Sequence, residues 1–261
     1  MKRYIDGMGF YATITAVRRI MNTKQTEENS GLFALVLAAA GQSSRFSGKD
    51  GTDRTIKKTF VRLGGKPVWL RCVDLFRKQE SLAQIIVVVA PEDIGWFRQY
   101  YAGEINSMLI SVVAGGENRV DSIRRGLMSV SPKVDYVAVH DAARPCVSVQ
   151  EIAAVLSAAQ KYGAAVLAAP IVATVKKAAG DQIEKTIPRE GLWESQTPQV
   201  FRRELLLEAY QQRISFIPTD DAQLVELLGH PVYIVPSDRR NIKITTPSDL
   251  MLAKYWLEQT E

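Results

Sequence analysis

From Leu32 onward, short and wholly apolar runs alternate with helix-length amphipathic stretches. This rhythm constrains the fold more than any other feature. A run without polar alternation suits a strand covered on both faces, and the segments able to cover it are the crossover helices between such strands. Strands are predicted at residues 32–38, 84–90, 109–113, 134–139, 164–169 and 232–235. Helices are predicted at 67–79, 92–101, 119–130, 148–162, 203–213, 220–228 and 247–258. Start signals agree: Pro67 suits a first turn, Thr219 can cap the helix opening Asp220-Asp221, and Thr246-Pro247 does the same for the last helix. The expected class is α/β, a Rossmann-like three-layer sandwich around a mostly parallel sheet. Residues 171–199 break the pattern, alternating polar with apolar and turning at Ala179-Gly180-Asp181, which predicts an antiparallel β-arm projecting from the sheet.

Composition narrows the function. A chain of 261 residues with 46% hydrophobic and 8% aromatic content can bury a sizeable core, which excludes global disorder. Its longest apolar runs fall far short of the roughly 20 residues that a bilayer demands. Cys72 and Cys146 lie far apart and match no metal-ligand spacing, so reduced thiols and a cytoplasmic setting are expected. Two histidines and no cysteine cluster leave no protein-built zinc site, and any metal is expected to arrive with a substrate.

The net charge of +5 is concentrated: Arg45, Lys49, Arg54, Lys57, Lys58, Arg62 and Lys66 face only Asp50 and Asp53 within residues 45–66. A solvated loop, a nucleic-acid patch and a polyphosphate site all fit such a stretch. Apart from Phe46 and Phe60 it lacks the interleaved aromatics of base stacking, and a compact basic loop suits a small polyphosphate. Residues 1–30 carry no strand pattern and are read as a flexible N-terminal extension, without a clear signal peptide and with Met21 as an alternative start.

The candidate chemistry lies where predicted strands hand over to loops. Leu37-Ala38-Ala39-Ala40-Gly41-Gln42-Ser43-Ser44-Arg45 follows the first strand, with small residues that allow close backbone approach and N–H groups able to face phosphate. It is neither a dinucleotide fingerprint nor a Walker A loop. Downstream come Lys57-Lys58-Thr59-Phe60, Leu63-Gly64-Gly65-Lys66-Pro67 and Gly115-Gly116-Glu117-Asn118-Arg119-Val120-Asp121-Ser122. His140-Asp141-Ala142-Ala143-Arg144-Pro145, Glu194-Ser195-Gln196-Thr197-Pro198-Gln199 and Asn241-Ile242-Lys243-Ile244-Thr245 complete the set. In an open α/β sheet, the carboxyl ends of the strands form the ligand crevice.

In this order the motifs resemble those of the sugar-phosphate nucleotidyltransferases, and more closely the 2-C-methyl-D-erythritol 4-phosphate cytidylyltransferases of non-mevalonate isoprenoid synthesis. The resemblance runs from about Phe33 to Leu257. It implies a nucleotidyltransferase domain over residues 31–261, with CTP and methylerythritol phosphate as substrates, Mg2+ bound with CTP, and a homodimer formed through the arm. It implies no nucleic-acid or membrane partner. Carried over residue by residue, it makes Arg45, Lys58 and Lys243 the catalytic cations around the triphosphate. Ala39, Ala40, Gly41, Gly116, Glu117, Ser122, Asp141 and Ala142 would border the nucleotide, with Asp141 also beside the metal. Arg144, Thr174, Arg189 and Thr197 would meet the acceptor, Arg189 reaching into a partner subunit.

The residue types suit that chemistry without the analogy. When a phosphate monoester attacks the α-phosphorus of CTP, several negative charges meet and no protein nucleophile is needed, so positioning and cations can carry catalysis. Three departures stand out: Ser43 replaces a usual glycine, Lys57 and Thr59 flank Lys58 where proline and glutamine are usual, and residues 47–56 form a longer polar insert. The insert is read as a lid over the triphosphate. His140 is read as a strand-end residue, Cys146 as a filler and Asp220-Asp221 as helix-start charge. The alternatives are a ribitol 5-phosphate cytidylyltransferase, against which Ala142-Ala143 stands, and a silent nucleotide- or nucleic-acid-binding module.

Overall fold

The computed structural model describes residues 31–41, 48–49, 55–212 and 217–259. The chain divides into two units, Met1–Gly31 and Leu32–Glu261, and the fold is that of the second. The N-terminal extension, Arg45 and most of the 47–56 insert lie outside the described residues.

After β1 (Phe33–Ala39) come four two-residue strands, β2 (Gly48–Lys49), β3 (Thr55–Ile56), β4 (Arg62–Leu63) and β5 (Lys66–Pro67). Helix α1 (Val68–Phe76) and β6 (Leu82–Val89) follow, then α2 (Ile94–Tyr100), α3 (Ala102–Ser107), β7 (Ser111–Ala114), α4 (Arg119–Leu127) and β8 (Tyr136–Asp141). Next are α5 (Val149–Tyr162), β9 (Ala164–Pro170), β10 (Val175–Ala179), β11 (Gln182–Ile187) and β12 (Trp193–Arg202). Helices α6 (Arg203–Gln211) and α7 (Asp221–Leu227), strand β13 (Tyr233–Pro236) and helix α8 (Pro247–Glu258) close the chain.

Seven strands share one sheet in the order β13-β9-β12-β8-β1-β6-β7. Every neighbouring pair is parallel except those of β12, which runs antiparallel to both β8 and β9. Side chains of a strand alternate between faces, so the apolar runs feed two cores. Phe33, Leu35 and Leu37 of β1 join Ile85, Val87 and Val89 of β6 under α1, α2 and α5. Ala34, Val36, Ile86 and Val88 point the other way, under α4, α6 and α7. This is the expected three-layer sandwich. Helix α4 lies so close to the sheet that a Cβ on Gly126 would come within 2.7 Å of Val36 Cγ1.

Several boundaries differ from expectation for identifiable reasons. The 92–101 helix is split into a 3-10 turn at Pro91–Asp93 followed by α2, with α3 an additional helix. Pro67 ends β5 instead of opening the helix, which starts at Val68. Asp220, not Thr219, caps α7 by accepting from the Gln223 amide, and its carboxylate is a stronger acceptor than a hydroxyl. Thr246 caps α8 in a capping box with Asp249. The arm is shorter than 171–199: its hairpin is β10 and β11, whereas β12 returns to the sheet and pairs Val200 with Ala138 and Ala165. Glu194 and Ser195 at the start of β12 are exposed, but Gln196, Thr197 and Gln199 are buried and hydrogen-bonded, as when Gln199 Oε1 accepts from the amides of Asp221 and Ala222.

Candidate active site

Strands run outward from β1 through β6 to β7 on one side, while β8 lies on the other, so the chain switches direction beside the carboxyl end of β1. Open α/β sheets bind ligands at such a point. Here a cavity of about 320 Å³ opens, walled by Ala40 and Gly41 after β1, Lys58 and Thr59, the 116–119 loop, Asp141 at the end of β8, and Lys243 with Thr245. That volume is within the range of small-ligand sites.

The 115–119 loop is fixed from within. Asn118 caps α4 by accepting from the Asp121 amide at 2.9 Å. Ser122 Oγ accepts from the Gly116 amide at 3.0 Å and donates to the Asn118 carbonyl at 2.9 Å. No side chain fits at either glycine, since a Cβ on Gly115 would meet Ala40 Cβ at 2.7 Å and one on Gly116 would meet Asp121 Cβ at 2.5 Å. Of the two, Gly116 lines the cavity, whereas Gly115 is buried, its amide donating to the Val89 carbonyl and its carbonyl accepting from Arg125 Nη1.

Charge is organised around Asp141, which is only 6% exposed. One carboxylate oxygen takes Arg119 Nε at 3.1 Å and the other takes Lys243 Nζ at 2.6 Å. Burial alone would raise the Asp141 pKa, but Arg119 and then Lys243 override it and hold the carboxyl well below its usual range. Arg119 also reaches Asp221 Oδ2 at 2.8 Å, and the Tyr210 hydroxyl donates to the other oxygen of Asp221. Burial opposes the Arg119 charge, yet Asp221 and Asp141 keep its pKa above the ordinary value. The result is an acid–base chain, Asp221–Arg119–Asp141–Lys243, ending at the cavity wall across from Lys58.

Segment 238–245 is brought to this wall by buried polar contacts. Asn241 Nδ2 donates to Gln196 Oε1 at 2.9 Å and to the Thr197 carbonyl at 3.0 Å, Arg144 Nη1 donates to the Asn241 carbonyl at 2.7 Å, and the Ile244 amide donates to the Ala143 carbonyl at 2.8 Å. His140 is fully buried, with Nε2 at 3.1 Å from the Arg144 carbonyl and Nδ1 at 3.1 Å from Thr197 Oγ1. Burial pushes its pKa down to about 4, so the ring is neutral at physiological pH and braces the strand end.

Against this geometry, the sequence profile of the 2-C-methyl-D-erythritol 4-phosphate cytidylyltransferases matches residues 33–259. The chain belongs to that family. A cytidylyltransferase of this name from Solibacter usitatus is 39% identical over 87% of the chain and 96% of its own length. Another from Pelotomaculum thermopropionicum is 41% identical over 85% of the chain and 92% of its length. The crystal structure of a cytidylyltransferase from Thermus thermophilus superposes with a TM-score of 0.69 at 33% identity, covering 85% of this chain and 98% of that one.

Eight of the residues carried over from the cytidylyltransferase family line the cavity: Ala40, Gly41, Lys58, Gly116, Glu117, Ser122, Asp141 and Lys243. Ala39 and Ala142 do not, because their side chains are buried in the core, where the Ala142 amide donates to the Ala38 carbonyl at 3.1 Å. Thr197 is also behind the wall, its Oγ1 accepting from the Asp141 amide at 3.0 Å. Arg144 is buried beneath the cavity, on the Asn241 carbonyl. Thr174 and Arg189 are exposed on the arm, outside the lining, and Arg189 Nη1 donates to the Val172 carbonyl. Arg45 lies outside the described residues. Arg119, Asn118 and Thr245 line the cavity as well, the first two within the glycine motif and Thr245 at the end of the Lys243 motif. Asp221 is more than helix-start charge, because the fold brings it to Arg119.

Asp141 is the group that a divalent cation carried by a nucleotide would meet on this wall. Among the described residues no three His, Cys, Asp or Glu side chains gather into a metal group, and Asp141 is the buried carboxylate on the cavity wall. Nor is any helix of the described residues long and apolar enough to cross a membrane.

Proposed function

We infer that this protein transfers CMP from CTP to 2-C-methyl-D-erythritol 4-phosphate, giving 4-diphosphocytidyl-2-C-methyl-D-erythritol and pyrophosphate for isoprenoid precursor synthesis. The observation that carries this reading is the convergence of Lys58, Arg119 and Lys243, from three distant segments, on one cavity at the sheet's switch point.

In the reaction, an oxygen of the acceptor phosphate attacks the α-phosphorus of CTP, and the bond to the β-phosphate breaks to release pyrophosphate. Lys58 and Lys243, with Arg45, neutralise charge that gathers on the α-phosphoryl group, which is where preorganised cations contribute most. Asp141 keeps Lys243 and Arg119 aimed while screening their mutual repulsion. Gly116, with Ala40, Gly41, Glu117 and Ser122, receives the cytidine part. The Ala39 and Ala142 backbones support the two strand ends that frame it. Mg2+ entering with the triphosphate would rest on Asp141 and supply further positive charge to the phosphates. Arg144 and Thr197 set the acceptor side from behind the wall. Thr174 and Arg189 of the arm complete it, the latter across a homodimer formed by the exposed hairpin. The setting is cytoplasmic and the ligands are small molecules, not nucleic acid.

Pyrophosphate release with Mg2+ tests this directly, offering CTP, UTP, ATP or GTP with methylerythritol phosphate or ribitol 5-phosphate. CTP with methylerythritol phosphate should be turned over fastest. Faster turnover of ribitol 5-phosphate, or nucleotide binding with no turnover, would overturn the assignment.

A further inference from the structure

The turn carrying Lys58 is held at both ends by one neighbouring element. Its backbone closes where the Phe60 amide donates to the Lys57 carbonyl at 2.9 Å, which leaves Lys58 and Thr59 as the central residues on the cavity wall. At the first corner, Lys57 Nζ sits 2.7 Å from Asp93 Oδ2 and 2.7 Å from Glu92 Oε1. The inner pair is largely shielded, with 16% of the Lys57 side chain and 10% of the Asp93 side chain exposed. At the last corner, the Phe60 ring packs on Trp96 and Phe97 of α2 at centroid distances of 5.4 and 5.5 Å. Both ends of the turn therefore rest on the span from Glu92 to Phe97, and the Trp69 amide of α1 holds the Thr59 carbonyl at 2.9 Å from the other side.

A lysine at the first corner would be expected to reach for the phosphates beside Lys58. Here it turns away to two carboxylates. Burial works against its charge, and the hydrogen bonds it donates to Asp93 and Glu92 more than offset this, leaving its pKa above the ordinary value.

We propose that Lys57 is a positioning residue for the transfer reaction, pinning the Lys58 turn to the Glu92–Asp93 turn so that the Lys58 ammonium is held where charge develops. Lys57 itself touches no substrate. An ion pair with one shielded partner is suited to this, because it resists solvent screening better than an exposed pair. Displacing a catalytic group by about 1 Å can cost up to about a hundredfold in rate.

This proposal rests on the transferase reading, and the assay keeps the two apart: wild-type protein must first release pyrophosphate from CTP and methylerythritol phosphate, and if it does not, the activity itself is wrong. Given activity, Lys57→Met should lower kcat by about tenfold with little change in the CTP KM, and Asp93→Asn should do the same. Lys57→Arg should recover most of the rate. In a Lys58→Ala background, Lys57→Met should cost no further activity, because its effect passes through Lys58. The proposal is overturned if Lys57→Met retains wild-type kcat, if its loss multiplies with that of Lys58→Ala, or if the loss appears in KM alone, as a direct phosphate contact would give. Unfolding midpoints separate misfolding from misplacement: should Lys57→Met fail to fold, Lys57→Arg and Asp93→Asn carry the comparison, and wild-type kcat in Asp93→Asn counts against the idea.

Discussion

Replacing Arg119 by glutamine should destabilise the protein by about 3 kcal/mol. The substitution breaks two contacts, at 3.1 Å to Asp141 and 2.8 Å to Asp221. Asp141 keeps Lys243, but Asp221 is 1% exposed and loses its cation. Removing one partner of a buried pair costs about 3–5 kcal/mol, because the remaining charge is left uncompensated. The lower end applies, since Asp221 begins α7, where the helix dipole and the Tyr210 hydroxyl still favour its charge. With a urea dependence of about 3 kcal/mol per molar, the denaturation midpoint should fall by about 1 M. Adding Asp221→Asn should recover most of that loss, because the orphaned charge is then gone. The loss should also shrink as pH falls below about 4. There the unfolded chain begins to take up the Asp141 proton, and the stability that arises from its depressed folded pKa fades as pH falls further. A single variant within about 0.2 M of wild type at pH 7, or a double variant weaker than the single one, would refute the reasoning.

Further outcomes follow from other contacts. Gly116→Ala places a Cβ 2.5 Å from Asp121 Cβ, so the CTP KM should rise by about tenfold or more while the fold survives, as nucleotide titration would show. For His140, whose pKa is pushed down to about 4, the unfolded ring takes its proton first. Stability should therefore fall as pH drops from about 6.5 toward 4, by about 3 kcal/mol in full, and a flat denaturation midpoint across that window would count against a buried neutral imidazole. Cys72 is fully buried with its thiol pKa pushed up, and burial pushes Cys146 up to about 12. A thiol reagent at about pH 7.5 should accordingly modify neither in the native protein and both in denaturant. Fast labelling of either native thiol would contradict the packing.

Most of the fold could be read from apolar runs because a doubly covered strand leaves no other place for residues such as Phe33 to Ala39. Caps were readable only in part: Thr246 does cap the last helix, with Asp249, whereas Asp220 takes the place read for Thr219 and Pro67 lies before its helix. What escaped depended on the fold. Strand β12 carries Gln196, Thr197 and Gln199 into the sheet, and their polarity makes sense only once Asn241, His140 and Asp220 are known to be their partners. Asp221 is more than a helix-start charge for the same reason. The site divides likewise: motif positions such as Lys58, Gly116, Asp141 and Lys243 reach the cavity, whereas Ala39, Ala142, Arg144 and Thr197 form the layer behind it. Arg119 stands in a quoted motif, but its bridging role required two carboxylates from distant segments.

The central claim is that distant lysines converge to stabilise charge during CMP transfer. Its most direct test is pyrophosphate release from CTP and methylerythritol phosphate by Lys58→Ala and Lys243→Ala, with folding checked by denaturation. Each should lose about 10²- to 10³-fold in kcat/KM while unfolding as a cooperative unit. Folded variants that keep activity within about threefold of wild type would show that these two cations do not act on the reacting phosphates.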